Sequence, residues 1–201
     1  MARPRTHDID SLLDAAERLL AGAGTSGVTI RALAEATGAS SGSLYHAFGS
    51  RADLLARMWL RAARRFLTLQ NEAIDHELAR GDEKENAVRA TVAVASVPAT
   101  IQANSPDTAV VLLRHRRDEV LGEDVSPELR AELEALDGGL LEVLERLSLA
   151  LWGDRDRPSI ETVALCVVDL PTAILVSRRE RVIDPVAALE AAVRGVIASR
   201  E

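Results

Sequence analysis

The chain has 201 residues, enough to bury a core as one large domain or two small ones, and 47% of them are apolar while only 2% are aromatic. Ala, Leu, Val and Arg dominate, which favours helices: Ala, Leu and Arg lose little side-chain freedom in a helix, whereas strands draw on aromatic and β-branched residues. The net charge of −7 speaks against a nucleic-acid partner only until it is divided, because residues 1–66 carry nine arginines against six acids and residues 67–201 are left with −10.

Met1 to Asp10 is polar, with no apolar stretch of the kind a secretory leader carries. Ile9, Leu12, Leu13, Ala16, Leu19 and Leu20 recur at helical spacing, so a first helix is expected from Asp8 to about Ala21, ended by Gly22-Ala-Gly24. Thr29 is placed to cap a short second helix burying Ile30, Leu33 and Ala34, which Gly38 stops. Ser40 or Ser41 then caps a third helix reaching Phe48, with Leu44 and Phe48 on one face. Ser50 with Asp53 forms a capping-box pattern that opens a long fourth helix, from Arg51 to about Arg80.

Beyond Gly81 a helix is expected over about 84–103, interrupted by Pro98, and another from Pro106 to about Val120. Pro127 sits at the start of a helix to Trp152, Pro158 at the start of one to about Arg179, and Pro185 opens the last. The fold expected is therefore all-α with about nine helices. A three-helix head, residues 1–50, is joined by the long fourth helix to a C-terminal bundle, with 51–201 as the second domain.

Two short helices joined by a tight Gly-containing turn make a helix-turn-helix. In the second of them the outward side offers Ser41, Gly42, Ser43, Tyr45 and His46. Small residues let backbone approach phosphate, and the helix N-terminus is itself an anion site. Tyr45 and Arg51 suit phosphate contacts, and Ser43 and His46 suit base edges in the major groove. With Thr29, Ser40, Ser41 and Gly42 they form the expected DNA-binding set.

The run Thr29-Ile-Arg-Ala-Leu-Ala-Glu-Ala-Thr-Gly-Ala-Ser-Ser-Gly-Ser-Leu-Tyr-His-Ala-Phe-Gly-Ser-Arg-Ala-Asp-Leu-Leu55 resembles the DNA-binding signature of the TetR family of regulators. The matching features are the Thr opening the second helix, the Gly-x-Ser turn, Gly-x-Leu-Tyr, the closing Phe, and Ser-Arg before the fourth helix. Arg51 stands where that family often has Lys, and Ala47 where a second aromatic or His is common. The resemblance covers about 45 residues. It implies a cytoplasmic homodimer on a palindromic double-stranded DNA operator, acting as a repressor released by a small-molecule effector. The competing reading is a dimeric module that binds DNA without choosing sequence, or binds a protein.

The stretch from Ser159 to Arg179 is apolar nearly all round, as a helix buried on two sides would be. In the last helix Val182, Val186, Leu189, Val193 and Val196 step by fours and threes. Val167, Ile174, Val186, Leu189, Val193 and Val196 are accordingly expected at a dimer interface, the other reading being completion of the monomer core. The apolar run Val163 to Val176, broken by Asp169 and Pro171, is read as too short to span a bilayer. Asp169 within it is read either as an effector contact or as a paired or exposed carboxylate. Gln102, His115 and Trp152 are further effector candidates.

Several patterns carry no chemistry. Gly22-Ala-Gly24-Thr-Ser-Gly27 matches a dinucleotide fingerprint but follows a helix, outside any βαβ unit. His76-Glu77 begins like a zinc-protease helix, yet Arg80 occupies the second histidine position. No metal, cofactor or catalytic constellation is expected. Cys166 reads as a buried thiol, and Arg114-His-Arg-Arg117 as an ion-paired surface beside Asp118, Glu119, Glu123 and Asp124.

Overall fold

A computed structural model describes residues 8–80, 83–122, 124–177 and 184–200, and among them it contains helices and no strand. Ten α-helices follow in order: α1 (Ile9–Gly27), α2 (Ile30–Thr37), α3 (Ser41–Phe48), α4 (Arg51–Leu78), α5 (Glu83–Asn104), α6 (Pro106–Leu113), α7 (Arg117–Val120), α8 (Pro127–Trp152), α9 (Arg157–Ala164) and α10 (Pro185–Ala198). Between α9 and α10 the chain continues in two π-helical stretches, Leu165–Asp169 and Thr172–Ser177.

The helices divide into two compact units, one holding residues 1–63 and 105–134 and the other 64–104 and 135–201. The expected boundary at residue 50 thus falls inside the first unit. Its core gathers Leu12, Leu13, Leu20, Leu33, Leu44 and Phe48 with Leu54 and Met58 of α4 and Val111 of α6. The second unit packs Ile74 of α4, Val94 of α5 and Val143 and Leu147 of α8 against Val163, Cys166, Leu189 and Val193.

Helix α1 leaves helical geometry at Gly24 (φ 67°, ψ −173°), within the Gly22-Ala-Gly24 run expected to end it, and a further helical turn follows to Gly27. Two local expectations are corrected. The helix expected over 106–120 is interrupted, because α6 ends at Leu113 and a separate turn, α7, begins at Arg117. The helix expected from Pro158 loses α geometry at Leu165. Pro171 supplies no N–H to the ladder and its ring crowds the carbonyl four residues back, and the i→i+5 turns on either side widen the helix around it. Pro98, by contrast, lies buried inside α5, which runs on to Asn104.

Arg157–Ser177 is 21 residues long and holds an 18-residue window of mean hydropathy 1.8, enough to cross a membrane by length and composition alone. The expectation of a segment too short to span a bilayer concerned Val163–Val176 alone. Its inner residues Val163, Cys166, Val167 and Leu175 are buried in the second unit's core.

Candidate nucleic-acid interface

The turn between α2 and α3 is built by short polar side chains. Thr29 Oγ1 accepts the Ala32 N–H at 3.0 Å and so caps α2, one of the orphan donors every helix start must satisfy. At the other end Gly38 adopts φ 72°, the left-handed geometry that lets its N–H return to the Ala34 carbonyl at 2.9 Å. Thr37 Oγ1 donates to the Leu33 carbonyl at 2.7 Å and accepts from Ala39 N–H at 3.3 Å, closing the turn. Ser40 Oγ accepts the Ser43 N–H at 3.1 Å and caps α3, while Ser43 Oγ donates to the Ser40 carbonyl at 2.8 Å.

This turn holds α3 by its back. Leu44 and Phe48 are buried in the first unit's core, at 0% and 2% exposure. Ser40, Ser41, Gly42, Ser43, Tyr45 and His46 are all exposed, with Tyr45 at 55% the most accessible large apolar side chain among the described residues. The predicted outward set therefore shares one surface. Ala47 is half-buried and packs against the first unit's core.

Two members of the predicted set also hold the head together. Thr29 is half-buried, its hydroxyl committed to the cap. Arg51 donates from Nε to the Val28 carbonyl at 2.6 Å and from Nη2 to the Thr25 carbonyl at 2.5 Å, so its fork clamps the end of α1 to the start of α4. Only half of the expected capping box forms. Ser50 Oγ accepts the Asp53 N–H at 2.9 Å, and Asp53 Oδ1 takes the Ser126 N–H at 2.9 Å.

The sequence reading missed Glu17. It lies on the apolar face of α1, in register with Leu13 and Leu20, and is 3% exposed. Its Oε1 accepts from Arg61 Nη2 at 2.7 Å and its Oε2 from Thr108 Oγ1 at 2.6 Å. Arg61 also reaches Asp14 at 2.8 Å and the Asp10 carbonyl at 2.8 Å. Burial works against the Arg61 charge, but the hydrogen bonds and charges of Glu17 and Asp14 outweigh it and hold the guanidinium above its ordinary value. The signal was present in the sequence as one acid inside an apolar stripe.

The effector candidates are divided between the two units. His115 belongs to the first unit, and Gln102, Trp152 and Asp169 to the second. Asp169 is exposed, as the less demanding reading had it. The Trp152 ring lies 4.4 Å beneath the Arg200 guanidinium, and its Nε1 is buried without a hydrogen-bond partner. A cavity of about 460 Å³ opens in the first unit beside Arg51, Leu55, Glu119 and Leu121, and none of the four candidates lines it. Arg116 pairs with Asp118 through two bonds of 3.0 and 3.1 Å, the ion-paired surface expected there; Glu123 lies outside the described residues.

The residues of the predicted dimer seam differ in burial. Val167, Leu189 and Val193 are consumed by the second unit's own core, and Ile174 and Val196 pack against it half-buried. Val186 is 44% exposed, and Val182 lies outside the described residues. The large apolar side chains that the second unit leaves accessible besides Val186 are, among the described residues, Leu78, Leu141, Leu149, Leu165 and Val168.

Residues 12–58 match the family model of bacterial regulatory proteins, tetR family. No curated protein matches the chain. Among solved structures, the fold is similar to that of the TetR family transcriptional regulator PfmR from Thermus thermophilus, with TM-score 0.59 and 20% identity over 93% of this chain and 97% of that one. It is also similar to the regulator FadR from Bacillus subtilis in complex with stearoyl-CoA, with TM-score 0.66 and 17% identity over 94% and 98%. A protein described as superantigen PfiT shares it at TM-score 0.68 and 17% identity over 96% and 97%. At these identities the likeness concerns the fold.

Proposed function

We propose that this chain, which carries a tetR-family DNA-binding domain at residues 12–58 within the fold of that family's regulators, is a ligand-responsive, sequence-specific transcriptional repressor. The observation that carries the reading is the polar face of α3 set on a buried back. Leu44 and Phe48 fix the helix while Ser41, Ser43, Tyr45 and His46 face outward. No lysine or arginine occurs between Arg31 and Arg51, so this face offers directional hydrogen bonds rather than formal charge. Non-specific binding is mainly electrostatic and needs that charge, which weighs against a module that ignores sequence.

Reading a palindrome requires two heads, so the functional form is a homodimer in the cytoplasm. Leu141 and Leu149 on α8 with Leu165 and Val168 after α9 are the apolar residues offered for its interface. Residues 51–201 supply that interface and the effector site. A relative in fold that was solved with stearoyl-CoA supports a helical bundle able to take a small molecule. Effector binding releases the operator.

The test is fluorescence anisotropy of the purified chain on DNA upstream of its own gene, with excess unrelated duplex as competitor. The expected result is binding that survives the competitor. Tyr45→Phe then weakens binding on all sequences, whereas His46→Ala changes the preference among them. Equal loss to unrelated DNA with a steep salt dependence would instead establish the non-specific module.

A further inference from the structure

Ser43 is the third residue of α3, in the N-terminal turn by which a recognition helix reaches base edges, and it is exposed. A hydroxyl has one proton to give and two lone pairs with which to accept. The Ser43 proton is committed inside the protein: its Oγ lies 2.8 Å from the Ser40 carbonyl, and a carbonyl can only accept. Ser43 Oγ also lies 3.1 Å from Ser40 Oγ. With its own proton engaged, Ser43 is the acceptor in that second bond and the Ser40 hydroxyl is the donor. Ser43 therefore keeps one lone pair, and no proton, for whatever meets the exposed face of α3.

That proton count decides what the hydroxyl can read. A group with no proton to offer meets phosphate oxygens lone pair to lone pair, so Ser43 is unsuited to the backbone contact that a free hydroxyl makes. In the major groove guanine N7 and O6 and thymine O4 are acceptors, and they are unsuited for the same reason. Cytosine N4 and adenine N6 carry N–H donors and fit. The rest of the helix leaves that role open. Between Glu35 and Arg51 there is no aspartate, glutamate, asparagine, glutamine, lysine or arginine. Neither the bidentate readers of guanine and adenine nor an acidic acceptor for cytosine N4 stands on α3.

We propose that Ser43 is a specificity-determining residue whose hydroxyl, held by Ser40, acts as a hydrogen-bond acceptor and selects a base carrying an exocyclic amino group. It favours adenine or cytosine over guanine or thymine at one position of each half-site. The inference rests on the regulator reading given above and names the polarity of one of its contacts. Donating to DNA instead would require Ser43 to give up its bond to the Ser40 carbonyl, so the polarity is set before DNA arrives.

The test uses the full chain and a random duplex pool, from which wild type enriches its preferred half-sites. Affinity is then measured on duplexes carrying each base in turn at each half-site position, for wild type, Ser43→Ala and Ser43→Thr. Ser43→Ala leaves the backbone N–H of residue 43 on its cap, Ser40 Oγ. The expected result is one position at which wild type prefers adenine or cytosine by about fivefold, the effect of a single neutral hydrogen bond. There Ser43→Ala loses the preference while keeping the others and its thermal midpoint, and Ser43→Thr, which retains the hydroxyl, retains it. A base analogue lacking only the exocyclic amino group at that position weakens wild type by the same factor and leaves Ser43→Ala unchanged. The proposal is overturned if Ser43→Ala loses affinity equally on every duplex, if no position changes, or if the preference lost is for guanine or thymine. A wild type that enriches no sequence at all brings down the regulator reading, and the proposal with it. The two failures are therefore distinct.

Discussion

Cys166 is the chain's one thiol, and its burial in the second unit's core pushes its pKa up to about 11. The thiolate is the reactive form, so the native protein is expected to resist iodoacetamide at pH 8 and to label fully in denaturant, counted by intact mass. The linkage has a sign: the folded thiol stays protonated above the unfolded value near 8.5, so stability falls as pH rises from there toward 11. The same burial explains why an isolated cysteine in an apolar run was legible from sequence, whereas Arg51 was not. Its charge pointed to phosphate, yet only the folded path of the chain brings the Val28 and Thr25 carbonyls, distant in sequence, into its fork.

Elements were read where local chemistry sets them. Thr29, Gly38 and Ser40 fix both ends of the α2–α3 turn through neighbours no more than four residues away. At Gly38 an added Cβ would meet no atom within 4 Å, so Gly38→Ala costs only the left-handed backbone, about 1–2 kcal/mol by urea unfolding. The cap of α9 gives a pH signature. Hydrogen bonds from the Ser159 side chain and then its backbone N–H hold the Asp156 carboxyl below its ordinary range, with Arg200 adding to them. A depressed carboxylate stabilises above its unfolded pKa and loses that contribution as pH falls through the folded one. Asp156→Asn should therefore flatten the acid limb of a thermal midpoint against pH profile. Elsewhere propensity failed for a stated reason: Pro171 was visible, but not that the helix would answer it by widening into π turns rather than ending.

For the molecule as a whole, the apolar residues of the last two helical segments had two readings, and packing chose between them. Val167, Leu189 and Val193 went to the core, leaving Leu165 and Val168, each 38% exposed, and Val186 at 44%. On the homodimer reading Leu165→Glu should dissociate the pair without unfolding the chain: sedimentation velocity would show a monomer, and the helical circular dichroism would be kept. A dimer that persisted would move the interface elsewhere. Glu17→Ala removes one partner from a buried charged cluster and is expected to cost about 3–5 kcal/mol in urea unfolding, far more than an exposed acid would.

The helical class, the order of the elements and the outward face of α3 were all written in the sequence, because caps, turns and the 3.6-residue period act over a few residues. Packing in three dimensions chose which of two apolar faces became core, which arginine became a clamp, and that Glu17 joins α1 to α4 and α6. Those outcomes depend on partners 23 to 91 residues away in the chain, and no local pattern encodes a distance of that kind.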